Sequence, residues 1–203
     1  MTPEFSPGPL GLPMVPIAMA AVGPLMSKTA ARVADSVRLH GFATRRYLEE
    51  VVRPMLATEL EATGKKFENF EITGGGFVVT GPDEAAVREA AEKIRYRVAF
   101  YGSTPAYRGV FDIHGLADLG VKLTEMSKRG AWKDMAAQVS DEVLDLFVAR
   151  APYEGIAEAI ERRFGGIVDT VSIDFSPGTS AATRRSVVEA IQRIPQAFKG
   201  FRG

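Results

Sequence analysis

The pattern opens on a continuous apolar run over residues 17–22, Ile-Ala-Met-Ala-Ala-Val. Such a run predicts a strand buried on both faces of a parallel sheet. Gly23-Pro24 ends it, and a helix is expected to about Ala34, since proline suits the first helical turn, where its missing N–H has no partner. A second short strand is read over 36–40. Gly41-Phe42-Ala43-Thr44 then turns into a helical stretch to about Ala62, kinked or split at Pro54. A third strand falls within 70–80, alternating around Gly74-Gly75-Gly76 and stopped by Gly81-Pro82. In the next helix Val87, Ala91, Ile94, Val98 and Tyr101 recur at helical spacing, with Arg88, Glu89, Glu92 and Lys93 outward.

Residues 102–148 read as helical pieces without a strand. An amphipathic helix over 152–164 turns Ile156, Ile160 and Phe164 inward and stops at Gly165-Gly166. Residues 167–175 alternate like a strand, and a last helix covers 180–192. Strand and helix thus repeat four times, with one helical excursion. That order predicts an α/β fold with a parallel sheet and right-handed crossovers. Four units are half of a (β/α)8 barrel of the TIM type, which takes about 250 residues when complete. Residues 1–16 carry Pro3, Pro7, Pro9, Pro13 and Pro16 and read as an extended Pro/Gly-rich loop. Residues 17–203 form the half-barrel. A start in mid-loop reads as if other sequence normally precedes it.

Lys+Arg and Asp+Glu are 25 each, so no net field draws nucleic acid or an anionic membrane. There is no cysteine, which removes disulfides, thiolate metal sites and cysteine nucleophiles. His40 and His114 have no metal-ligand spacing, so no metal is expected. The apolar run from Met14 is too short to span a bilayer and no basic residue precedes Lys28, so a cytoplasmic location is expected.

The strongest candidate site is Ala21-Val22-Gly23-Pro24-Leu25-Met26. A strand that ends in glycine and opens a helix gathers unpaired amides and the positive helix end, which suits a phosphate. A plain strand-to-helix turn is the simpler account of the residues alone. His40 and Gly41 follow the second strand, where a β/α barrel has its active site. His40 either contacts a ligand or is a turn histidine satisfied by backbone. Gly74-Gly75-Gly76 reads first as a bulge, and otherwise as room for a ring. Tyr101, Ser103, Tyr107 and Arg108 put hydroxyls and a cation on a turn, for substrate contact or, through Ser103 or Thr104, for helix capping. His114, Trp132 and the methionines read as packing residues, and Arg45-Arg46, Glu49-Glu50 and Arg162-Arg163 as solvated helix faces.

Taken in order, PIAMAAVGPLM, A-x-x-x-A-D-S-V-R-L-H-G-F from Ala31 to Phe42, FEITGGGFVVTG, FYGSTPAYRGVFDIHG and RFGGIVDTVSIDF resemble the C-terminal half of the luciferase-like monooxygenase superfamily. Within it the chain is similar to the LLM class of F420-dependent oxidoreductases. The motifs span residues 3 to about 175. The resemblance implies a (β/α)8 barrel that binds coenzyme F420 or FMN at the carboxyl ends of its strands. The strands here match the fifth to eighth, and the first four have no counterpart. Ser36 stands where the family usually has glycine. The resemblance also implies that Ala21, Val22, Gly23, Leu25, Met26 and His40 lie on the cofactor, and Tyr101, Ser103, Tyr107 and Arg108 toward a small-molecule substrate. Two functions follow: the C-terminal half of an oxidoreductase, or a non-catalytic remnant or barrel-completing subunit. Homo-oligomerisation, or pairing with a missing N-terminal half, is expected in either case.

Overall fold

The structure, a computed structural model, describes residues 14–201. Most of the expected 1–16 loop therefore lies outside the described residues. Strands β1 (Ala18–Ala21), β2 (Ser36–Leu39) and β3 (Glu71–Gly74) form one parallel sheet in that order. Ala20 is in register with Arg38, and Arg38 with Thr73. Helix α1 (Gly23–Val33) crosses from β1 to β2. A second crossover joins β2 to β3 through α2 (Arg45–Tyr47), a π-helical turn over Leu48–Val52 and α3 (Arg53–Ala62). The wide turn lies just before Pro54, where proline removes a helix donor, so the expected disruption takes the form of a π-bulge.

Three strand readings change. The stretch 70–80 is two strands, because β4 (Phe77–Gly81) leaves the first sheet and pairs in parallel with β5 (Val148–Pro152). Gly74 and Gly75, at φ +82° and +77°, turn the chain between the sheets instead of forming a bulge. The second change is β5 itself, which falls where helix was expected up to and beyond Pro152. It is short, ends on proline, and finds its partner far away in sequence, so no local signal marks it. The third is 167–175, which is extended but joins β3 only through a parallel bridge between Thr73 and Thr170. The Gly74 amide donates to the Thr170 carbonyl at 3.1 Å. The segment thus takes the fourth place beside β3 without a continuous ladder. Among the described residues the sheet does not close into a barrel.

Between β4 and β5 run α4 (Glu84–Gly102), the helix read from Val87 to Tyr101, and then α5 (Arg108–Asp112), α6 (Ala117–Lys128), α7 (Trp132–Met135) and α8 (Asp141–Asp145), which fall in the predicted excursion over 102–148. Asp83 caps α4 by accepting from the Ala86 amide at 2.8 Å. After β5 come α9 (Ile156–Phe164) and α10 (Ala181–Gln192), the latter capped by Ser180. Two cores result. One joins the first sheet to α1, α3 and α9 through Val37, Ile72, Leu56 and Ile156. The other packs Val79, Val98, Phe111, Leu123 and Phe147 around β4 and β5.

Strand alternation fixes what each face carries. Val37 and Ile72 face the helices and are buried. Ala20, Arg38, Thr73 and Thr170 share the opposite face, the one that lines the interior when such a sheet closes. On that face Thr170 Oγ1 donates to Glu71 Oε1 at 2.6 Å. The expectation that β1 is buried on both faces fails. Ala18 and Ala20 are exposed because, among the described residues, nothing covers the inner face of this edge strand, and Ile17, just before it, is 55% accessible. No described helix is long and apolar enough to cross a membrane.

Candidate functional site

The carboxyl ends of β1, β2 and β3 converge with the turn after α4. At the first of these, Gly23 holds φ +73° and opens α1. A Cβ added there would meet nothing within 4 Å, so the space beside its Cα is open. Val22 supplies no side-chain cap and the first turn has no acidic residue, so the opening amides keep their positive potential. Arg32 stands at the other end, where a cation offsets the carbonyls. The chemistry of this donor set suits an anion, and a phosphate fits it. The Leu25 and Met26 side chains are exposed, leaving only their amides to serve the site.

His40 continues the inward face of β2. Its Nδ1 accepts from the Phe42 amide at 3.1 Å, so that nitrogen is unprotonated and the proton sits on Nε2. Burial holds its pKa below the usual histidine value, which keeps the ring neutral at pH 7. Nε2–H is therefore a hydrogen-bond donor, and protonating the ring would break the Phe42 bond. Tyr107 stacks on His40 at 5.1 Å between centroids, and Tyr101 meets it edge-on at 4.5 Å. Phe42 packs against both tyrosines and stacks on Phe147 at 4.6 Å. A cavity of about 190 Å³ lies between α1 and this cluster, lined by Ala21, Val22, Gly23, Ser27, His40 and Tyr107. His40 also lines a second cavity, about 410 Å³, on the inner side of the sheet.

Of the residues expected on the substrate side, Tyr101 and Tyr107 reach His40 and two do not. Ser103 is buried, and its Oγ donates to the Phe100 carbonyl at 2.7 Å, closing α4. Arg108 is half-buried and packs toward Gly120 of α6. His114 meets Thr44 Oγ1 at 2.7 Å through Nε2, on the N-cap of α2. Trp132 is 40% exposed beside Phe100.

Sequence reasoning missed Arg163. It was expected on a solvated face, and Arg162 is there, paired with Glu158. Arg163 is instead only 7% exposed, with Nη2 donating to the Ala43 carbonyl at 2.5 Å and the Gly75 carbonyl at 3.3 Å. Its guanidinium lies 4.8 Å from the Phe164 ring centroid, and Nε and Nη1 have no partner. Burial pushes its pKa down to about 9. One buried cation thus ties the turn that follows β2 to the turn that follows β3, and both turns border the site. A helical hydrophobic period that includes Ile156, Ile160 and Phe164 places 163 beside the buried stripe, which was the available signal.

A third cavity of about 370 Å³ lies between α9 and α10, away from the strand ends. Its half-buried carboxylate, Asp169, accepts from the Ile72 and Phe198 amides at 2.9 and 3.1 Å, and so fixes backbone. Among the described residues no cluster of histidine and acidic side chains fit for a metal occurs.

Comparison with known proteins agrees with this geometry. The uncharacterized protein Rv1360 of Mycobacterium tuberculosis is 38% identical over 95% of the chain, which covers 55% of that protein. The 5,10-methylenetetrahydromethanopterin reductase of Archaeoglobus fulgidus is 28% identical over 83% of the chain and 49% of its own length. The chain therefore spans about half the length of the curated relatives it matches. The coenzyme F420-dependent tetrahydromethanopterin reductase from Methanopyrus kandleri superposes with a TM-score of 0.65 at 20% identity, over 89% of this chain and 50% of that one. At that identity the likeness establishes the fold, part of a TIM-type barrel. The luciferase-like monooxygenase profile matches residues 1–170, and the chain belongs to that family.

Proposed function

We propose that this chain supplies the cofactor-phosphate end of an F420-dependent oxidoreductase, with FMN as the alternative cofactor. The carrying observation is the uncapped start of α1 at Gly23, which lines the same cavity as His40 and has open space where a side chain would stand. The F420 dependence named for the Methanopyrus kandleri reductase favours F420 over FMN. The bound cofactor supplies hydride chemistry. The chain's own groups do the rest. Amides from Gly23, Leu25 and Met26 take the phosphate, with Ala21 and Val22 as the adjoining wall. His40 donates one hydrogen bond from a ring that Tyr101 and Tyr107 hold in place, and the two tyrosines form the substrate-side wall. Ser103 and Arg108 act through the shape of the turn.

Titration of the chain with FMN against riboflavin, and with F420 against its phosphate-free deazaflavin fragment, tests this without a variant. The phosphorylated form should bind at least about tenfold tighter, as expected for charge-assisted hydrogen bonds. Equal affinity within both pairs refutes the phosphate assignment.

A second reading rests on β1. Among the described residues β1 pairs on one side only, and Met14, Val15 and Ile17, just before it, are 86, 81 and 55% exposed. Such an edge templates further pairing. It supports a role as a barrel-completing subunit, joined either to a second copy or to a chain that carries the other four β/α units.

A further inference from the structure

The 410 Å³ cavity on the inner side of the sheet has a charge pattern that the cofactor reading does not use. Arg38 lies in mid-strand on the inward face of β2. In its own layer the neighbours are Ala20, Thr73 and Thr170, all small, so space surrounds its side chain. Arg97, on α4, lines the same cavity. Among the described residues neither arginine forms an ion pair or a hydrogen bond. The remaining charge on the lining is Asp174 at the rim, which is exposed and in no ion pair. Two guanidinium groups against one carboxylate leave this wall net positive, and His40 and Ser172 add neutral polar groups. A guanidinium is built for planar, two-point recognition of carboxylate or phosphate.

We propose that this cavity takes the anionic group of the substrate, a carboxylate or a phosphate, between Arg38 and Arg97. The proposal rests on the oxidoreductase reading and adds the substrate class. His40 lines both cavities, so the cofactor phosphate lies on its α1 side and the substrate anion on its inner side. The ring then marks the border between the two ligands.

The test needs no turnover. Succinate, inorganic phosphate and neutral succinamide are titrated into the full chain by NMR, in the wild type, Arg38→Gln, Arg97→Gln and the double variant. Arg185→Gln, an exposed change of equal charge on α10, serves as control, and FMN and F420 titrations run in parallel. Succinate or phosphate should bind the wild type while succinamide does not. Each site variant should weaken that binding about tenfold, with cofactor affinity and far-UV circular dichroism unchanged. The preferred anion identifies the substrate group. Anion binding absent from the wild type, unchanged in the double variant, or equally weakened by Arg185→Gln overturns the proposal. So does a parallel loss of cofactor affinity, which would assign the arginines to the cofactor. Failure of the phosphate assignment shows separately, as equal affinity within both the FMN–riboflavin pair and the F420–deazaflavin pair.

Discussion

Three glycines share the left-handed backbone region at the site but differ in what a methyl group would meet. At Gly74, φ +82°, a Cβ would sit 2.5 Å from the Leu39 carbonyl oxygen, which is backbone and cannot swing away. At Gly75 the nearest atom is Leu48 Cδ1 at 3.1 Å, and at Gly23 nothing lies within 4 Å. Alanine at any of them carries the left-handed penalty of about 1–2 kcal/mol. Gly74→Ala must in addition push β2 and β3 apart. That endangers the Gly74 amide bond to Thr170 at 3.1 Å and the Gly75 amide bond to Leu39 at 3.4 Å. Each lost bond costs about 0.5–1.5 kcal/mol. Gly74→Ala should therefore lose about 2–5 kcal/mol, a large share of the roughly 5–15 kcal/mol that holds a domain together. Gly23→Ala should lose only about 1–2 kcal/mol. Urea unfolding followed by circular dichroism measures both, and their difference isolates the steric contribution. If the two variants agree within about 0.5 kcal/mol, the close approach of Gly74 to β2 is wrong.

His40 should appear in ¹⁵N NMR as the neutral Nε2–H tautomer at pH 7 and titrate below 6.5. Because the unfolded chain then takes up the proton first, its stability contribution is complete above pH 6.5 and falls as pH drops toward the folded pKa. A ring still charged at pH 7 contradicts the Phe42 bond. Arg163→Met should stay within about 2 kcal/mol of wild type, since it removes a costly buried cation along with the two carbonyl ties. Arg163→Ala should fall about 2–5 kcal/mol lower because it leaves a cavity, and equal melting of the two variants would exclude this packing role. Size-exclusion chromatography with light scattering should give a mass above the 21.9 kDa monomer, through the open β1 edge. A monodisperse monomer would argue against edge pairing.

The parts legible in the sequence were those decided by local contacts. Val87, Ala91, Ile94 and Val98 mark α4 because all four bury one face of a single helix. Gly23-Pro24 marks a strand-to-helix turn because both residues have few backbone options. The split of 70–80 into two sheets was hidden, since Phe77 acquires its strand character by pairing with Val148. The contact of His40 with Tyr101 and Tyr107 was hidden for the same reason: two segments, each readable as a turn, meet only in the fold. Arg163 carries only a weak local mark, its place beside the buried stripe of Ile156, Ile160 and Phe164. Its burial follows from carbonyls at 43 and 75, and a run of two arginines reads as surface until those turns are placed.

The direction in which the strands face decides what incompleteness of the barrel costs. If the apolar rows of β1 and β2 filled the interior, an open sheet would put Val37 and Leu39 in water and forfeit most of its core. The register shows the reverse. Val37 and Leu39 lie against the helices at 0 and 8% exposure, while the open face carries Ala18, Ala20, Arg38, Thr73 and Thr170. Small and polar residues lose little by solvation, so both apolar cores survive without closure. What the open sheet does lose is a second wall for the ligands. On the proposed reading, the α1 amides, His40 and the two arginines would meet a ligand that stays partly open to solvent, and water would compete for every hydrogen bond they offer. Closure of the interior by a second set of strands would lower the local dielectric around Arg38 and His40 and strengthen the same contacts without moving them. The apolar core and the proposed binding groups thus lie on different faces of one sheet, which separates the stability of this chain from the completeness of that site.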